Sequence, residues 1–459
     1  MSIVQSTVND VEMDSIAIIR SESPSLSSSS SSRSQEDVQD VGEYPEGGWR
    51  AYGVVLGSFL GLTVNFGTLN AIGAIQTYIG THQLAHVSTS TVSWIFSIYL
   101  ALSFAVGILA GPLFDMHGPF VLLVCGTLLQ LGGFMAVANS STVWQFILSF
   151  SVCVGLGNAF CITPLIGAVS HWFLIKRGRA TAVATVGGSI GGIFIPLMLR
   201  SLYVKVGFPW AIRILGFISF GCMSCSILLV KERISRKVVY DDKYSGKVDK
   251  IIAAGKNLVD LKALKDMKYM FCMLGVFFIE LSLMSMTTYY ASYAIRQGVN
   301  ESTSYILLTI LNSTGVLGRL VSGYFSDFMG HFNVMILMLS GMSIAMFLLW
   351  LPFGSHVPVL YAFAAIVGFF SASFFSLMPV CLGAITPVHL FGQRYGLLYF
   401  FVSVGNLFGI PLGALIIGEG SIHQYKMFSM FCAITSAFGL ICWFISRYHI
   451  VGFKLNVKI

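Results

Sequence analysis

"LLTILNSTGVLGRLVSGYFSDFMG", Leu307 to Gly330, is apolar over most of its length yet carries Arg319 in its middle. Whether a guanidinium is tolerable there depends on the rest of the chain. Of 459 residues, 55% are hydrophobic and only 10% are charged, and the mean hydropathy is +0.79. A water-soluble domain carries about a quarter charged residues. This chain cannot coat itself for water, but a bilayer removes that need. A helix crosses about 30 Å of hydrocarbon with roughly 20 apolar residues.

Working outward from the quoted stretch, twelve such runs are readable, at about 49–71, 92–110, 120–138, 144–170, 180–203, 211–230, 269–294, 304–325, 333–351, 358–384, 394–418 and 427–447. Only helices or closed barrels satisfy backbone polar groups inside lipid, and these runs are too long for barrel strands. The expected class is therefore an all-α integral membrane protein with twelve transmembrane helices. The 47 glycines fit, because small residues let membrane helices approach closely.

The second motif within the quoted stretch, "GYFSDFMG" (Gly323–Gly330), has a partner in "GPLFDMHG" (Gly111–Gly118). Both fit G-x-x-x-D-x-x-G, one after the second run and one after the eighth. Pro164 pairs with Pro379, Arg179 with Arg394 and Pro196 with Pro411, all at an offset of 212–215 residues. Two six-helix halves joined by a long basic loop resemble the parallel repeat of major facilitator transporters. The expected divisions are a disordered Ser-rich tail over 1–44, a first bundle over 45–230, a basic linker over 231–268, a second bundle over 269–447 and a short tail over 448–459. Two rocking bundles would expose a central site alternately to either side.

Charge sets the orientation. The net charge of +7 comes from Lys and Arg gathered between runs, which is a topology signal and implies no nucleic-acid partner. Lys176, Arg177 and Arg179, the basic linker and Arg447 share one side with both termini. That side is expected to be cytoplasmic, with Arg200, Lys205, Arg296 and Lys426 a minority opposite. The Ser tract offers accessible sites to kinases, or is a passive tail. Nine cysteines fall inside apolar runs and read as small buried hydrophobes. No spacing suggests a metal site, a disulfide framework, a nucleophile elbow or a phosphate loop, so no cofactor and no enzyme activity are expected.

"YPEGGWRAYGVVLGSF" (Tyr44–Phe59) resembles the start of the first helix in the monocarboxylate transporter family, where an acidic residue precedes Gly-Gly-Trp. "HWFLIKRGRATAVATVGGSIGG" (His171–Gly192) resembles that family's second signature: an aromatic pair, a basic cluster and a small-residue helix. The texture is similar to the fungal branch. The resemblance implies facilitated or proton-coupled transport of a small, usually carboxylated solute. A vitamin or a secondary metabolite is the alternative. A non-transporting sensor would need a longer effector tail than the one after residue 447. The plasma membrane is the expected location, with a vacuolar or other organelle membrane as the alternative. Asn70 and Gly315 occupy positions where proton-coupled relatives carry a lysine and an aspartate, so coupling is expected to be weak.

The candidate solute-binding residues are Arg319, Asn70, Asn158, Tyr289 and Tyr290. Asn312, Gly315, Arg319 and Ser322 share one helical face, which would present the guanidinium fork to a carboxylate. The competing reading lets Arg319 snorkel to the cytoplasmic surface. Glu280, an acid deep inside a span, is the proton-coupling candidate; a structural buried acid is the alternative. Gly111, Asp115 and Gly118, with Gly323 and Asp327, are the gating motifs, the aspartates capping neighbouring helices or pairing with a basic group.

Overall fold

The structure, a computed structural model, describes residues 44–233, 260–454 and 457. The Ser-rich tail and most of the basic linker lie outside the described residues. Within them, every regular element is a helix. α1 runs over Trp49–Asn70 and continues beyond Ala71 as Ile72–Thr81. α2 comprises Thr89–Ala105 and Gly107–His117. α3 is Pro119–Val137 and α4 is Val143–Ser170. α5 and α6 are the arms, 177–206 and 208–229, of the 53-residue helix Arg177–Leu229. α7 is Met267–Arg296, α8 Glu301–Met329, α9 His331–Phe353, α10 Val357–Ala384, α11 Phe391–Ile417 and α12 Ile422–Val451.

Among the described residues eleven helices are long and apolar enough to cross a membrane, and one of them is long enough to cross twice. At 1.5 Å per residue, a straight 53-residue helix would be about 80 Å long, against about 30 Å of hydrocarbon. It breaks at Gly207 (φ 75°, ψ 170°), with Pro209 just beyond. The runs at 180–203 and 211–230 are thus joined through a kink, where the sequence suggested a loop.

The two Gly/Asp motifs also differ from expectation. They are the last turns of α2 and α8, extending those helices beyond the runs read from hydropathy. Gly118 (φ 75°) and Gly330 (φ 91°) cap them in a region that a Cβ disfavours. α3 and α9 begin at the very next residues, so the chain reverses with almost no loop.

Small residues set the helix spacing. A Cβ on Gly187 or Gly191 would collide with the carbonyls of Phe59 or Thr63, so these glycines draw α5 against α1. Where the halves meet, Gly107 and Gly111 of α2 face Gly396 and Gly392 of α11, and Gly323 of α8 faces Gly178 and Ala182 of α5. Large apolar side chains such as Leu128, Leu228 and Leu415 are exposed on the outside, where lipid would cover them.

Candidate functional site

Both aspartates of the repeated Gly/Asp motif hold helix N-termini of the opposite half. Asp327 accepts from Gly178 N at 2.8 Å and from Arg179 N and Nε at 3.3 and 2.8 Å. Asp115 accepts from Gly392 N at 3.0 Å and Gln393 N at 2.8 Å. Each carboxylate sits at the positive end of a helix macrodipole, on backbone donors that the helix itself cannot satisfy. Together they close the bundle at the face where α5 and α11 begin. Arg179 is also packed against Tyr324, 5.3 Å from the ring centroid.

Next to this closed face, Glu46 accepts from Leu174 N, Ile175 N and Lys176 N at 2.7, 2.7 and 3.0 Å. It pins the α4–α5 turn to the start of α1, which gives the acidic residue of the Glu-Gly-Gly-Trp signature a structural task. Arg177 is buried, its guanidinium Nε bonded to the Phe173 carbonyl. His171 is buried with both ring nitrogens unpartnered among the described residues. Burial, reinforced by the guanidiniums of Arg177 and Arg233, pushes its pKa down to about 4.

The opposite face is open. A cavity of about 570 Å³ descends between α1, α5, α7 and α8 from His82 and Val204 to Asn70 and Asn312. At its base it shares Asn70, Met284, Thr287, Leu311 and Asn312 with a small pocket of about 40 Å³, which contains Arg319, Ser189, Ser371 and Phe375. The guanidinium is therefore on the cavity floor. It is 3% exposed. Nη1 donates to the Thr185 carbonyl at 2.6 Å, the charge lies 5.6 Å from the Phe375 ring centroid, and Nε has no partner among the described residues. Among the described residues Arg319 makes no ion pair. Its own carbonyl accepts from Ser322 Oγ at 3.2 Å. Asn70 Nδ2 donates to the Gly188 carbonyl, and Asn312 Nδ2 to Leu308. A Cβ on Gly192 would meet both amides, so that glycine makes room for them.

Two prolines add polarity to this wall. Pro196 removes the amide that would bond the Gly192 carbonyl, and Pro379 does the same for Phe375. Both freed carbonyls belong to residues that line the cavity or its floor pocket.

Of the sequence candidates, the structure brings Arg319 and Asn70 together. Tyr290 is fully buried among Trp350 and Phe363, and its hydroxyl donates to the Leu360 carbonyl. Tyr289 donates to the Ile410 carbonyl and meets Phe428 edge-on. Both pack inside the second half, turned away from the cavity by aromatic neighbours that offer more burial. Asn158 is buried in α4, away from the cavity lining, with both amide atoms unpartnered among the described residues. Glu280 is also off the cavity wall: Asn406 Nδ2 donates to its Oε1 at 3.3 Å.

Sequence reasoning missed Arg200, Tyr78, His82 and Tyr203 on the upper wall. Arg200 was read only as a stray charge against the topology rule. The available signal was periodic: Ser189, Gly192, Pro196, Arg200 and Tyr203 fall on one face of α5, and all line the cavity or its floor.

The comparisons with known proteins agree with this geometry. The sequence pattern described as the Major Facilitator Superfamily matches residues 54–355 and 306–452. The riboflavin transporter MCH5 of Saccharomyces cerevisiae is 40% identical, over 92% of this chain and 83% of that protein. The MFS transporter asaE of Aspergillus flavus is 33% identical, over 95% of each. Among solved structures, the human organic anion transporter MFSD10 (TETRAN) superposes with a TM-score of 0.66 at 17% identity, covering 87% of this chain and all of that one. A bacterial homologue of the iron transporter ferroportin, in an outward-facing state, gives 0.63 at 10% identity over 86% and 99% of the two chains. These two share the fold. The chain belongs to the Major Facilitator Superfamily and is a multi-pass membrane transporter of that type.

Proposed function

We propose that this transporter moves a small organic solute bearing an anionic or strongly accepting group, and that Arg319 grips that group. One observation carries the reading. The cavity and its floor present two guanidiniums, Arg200 and Arg319, and no carboxylate among the described residues. A charge this deep in a membrane protein is costly unless it faces a cavity or partner. Arg319 faces a cavity of a size suited to a small organic ligand. A guanidinium fork matches a carboxylate, and also paired ring carbonyls.

A second reading within this class is a flavin-like vitamin, favoured by the 40% identity to a riboflavin transporter. In either case the cycle is alternating access. The structure described is then the state closed at the Asp115 and Asp327 latches. Release of those latches, with closure over the cavity mouth, would turn the floor to the other side. The basic side is taken as cytoplasmic, which makes this state outward-facing.

Purified protein in liposomes, offered riboflavin and hexanoate separately, tests the reading. Uptake of either that collapses in Arg319→Gln at equal incorporation supports it. Uptake indifferent to Arg319 refutes it.

A further inference from the structure

We propose that the cavity mouth is a separate capture site for flat aromatic anions, built by Arg200 and the parallel rings of Tyr78, His82 and Tyr203. The inference rests on the cavity being the solute path, and it narrows the solute class.

The rings come from two elements. Tyr78 and His82 lie on and just past the outer arm of α1, one turn apart, and stack at 4.0 Å with planes 9° apart. Tyr203, on α5, stacks on Tyr78 at 3.8 Å and 19°. Phe208, beyond the Gly207 break, runs 6° from the Tyr78 plane at 5.8 Å and backs the group. The three rings named in the site line the cavity. Tyr203 Oη is buried without a partner among the described residues. Tyr78 lies between the other two rings with both faces covered, so the faces offered to a solute are the outer ones of His82 and Tyr203, and their shared orientation favours a solute that is itself flat.

Arg200 supplies the charge. It lies on the same wall, exposed, and makes no ion pair among the described residues. Ser189, on the floor with Arg319, is eleven residues earlier on the same face of α5. That places Arg200 about 16 Å nearer the mouth. A solute much shorter than that rise meets the two guanidiniums one after the other. The two cations are therefore successive stations: stacking and charge at the mouth, then the fork at the floor. Among the described residues no acid lines the path between them to repel an anion.

The test uses the full chain in detergent micelles and two monoanions, 2-naphthoate and hexanoate. Tyr203→Leu should weaken 2-naphthoate binding about 2- to 10-fold and alter hexanoate less than about twofold, whereas Tyr203→Phe, which keeps the ring, should regain most of the affinity. Arg200→Gln should weaken both by about 10-fold. In Arg319→Gln, 2-naphthoate should still bind at the mouth. Equal loss of both probes in Tyr203→Leu, no loss of either, or no binding by the parent chain overturns the proposal. So does abolition of 2-naphthoate binding in Arg319→Gln, which would leave one site only. Failure of the floor reading looks different: liposome uptake would be unaffected by Arg319→Gln while the mouth variants still discriminate between the probes.

Discussion

Arg319 Nη1, on α8 of the second half, donates to the Thr185 carbonyl on α5 of the first half across 2.6 Å. The bond bridges the two halves at the cavity floor, and the guanidinium has no acidic partner among the described residues. A solute anion would meet donors already aimed by that carbonyl and by the Phe375 ring 5.6 Å away. On the proposed function, binding and the joint between halves share one side chain.

The first prediction follows from that sharing. Lys supplies a compact ammonium and no planar fork. A charge-assisted hydrogen bond contributes roughly 1.5–3 kcal/mol, or about 10- to 150-fold in affinity. Arg319→Lys should reach the membrane but lose transport by about that factor. Arg319→Gly reproduces Gly107, its counterpart in the repeat, and should fold while losing nearly all uptake. The check is uptake per surface-expressed molecule. Full uptake in Arg319→Lys with poor expression of Arg319→Gly would restore the snorkelling account.

The latches give the second prediction. Asp327 and Asp115 each hold backbone donors at a helix start of the other half. An asparagine keeps one acceptor, loses the charge and turns its amide towards a donor. Asp327→Asn or Asp115→Asn should shift the balance away from this state by roughly 10-fold or more. A cysteine at Thr77, on the cavity wall, should then react more slowly with a membrane-impermeant thiol reagent. Unchanged reactivity in both variants would mean that the latches do not set the balance.

Orientation gives the third. Ile175 is exposed in the turn next to the closed face. If that face is cytoplasmic, Ile175→Cys in intact cells should resist an impermeant reagent that labels Thr77→Cys. Labelling at 175 from outside would invert the topology.

The fourth concerns His171. Its pKa is about 4, below the ordinary 6.5, so between those values the unfolded chain binds the extra proton. Stability should fall as pH drops from about 6.5 towards 4, by up to roughly 3 kcal/mol from this residue. It should be unaffected by His171 above that window. His171→Leu should flatten the pH dependence of the thermal unfolding midpoint of the purified protein. An identical slope in both proteins would show that some other group titrates.

The twelve spans were readable because burial in lipid forces long apolar runs, and the repeat because both halves use the same cap chemistry at Gly118 and Gly330. Arg319 was readable because a cation in such a run has few excuses. The wall was not. Tyr290 and Tyr203 are both span tyrosines, but one is turned inward by Trp350 and the other towards the cavity. Rotation about a helix axis depends on packing partners far along the chain, and single-segment periodicity carries little of that. The joined α5–α6 helix was missed for a different reason: Arg200 and Lys205 read as a polar loop between two runs, whereas the helical hydrogen bonding continues through them and the chain bends at one glycine with φ 75°.

The last prediction is about energy coupling. Proton-coupled relatives place ionisable groups where this chain has Asn70 and Gly315. Here Asn70 donates to the Gly188 carbonyl on the cavity floor, and Gly315 sits where a Cβ would meet Ala372. No carboxylate lines the cavity among the described residues. Glu280 is 0% exposed and off the wall, one oxygen bonded to Asn406 at 3.3 Å and the other unpartnered. A proton entering from the cavity thus meets no acid on the wall to receive it. Solute uptake into liposomes should rise by less than about twofold when an inward proton gradient is imposed, a change under 0.5 kcal/mol. Glu280→Gln should keep that weak response, its amide still able to pair with Asn406. If a gradient drives strong accumulation that Glu280→Gln abolishes, Glu280 is the coupling group and must gain access to the pathway in another state of the cycle. If strong accumulation survives Glu280→Gln, the carrier of the proton is a residue outside the cavity described.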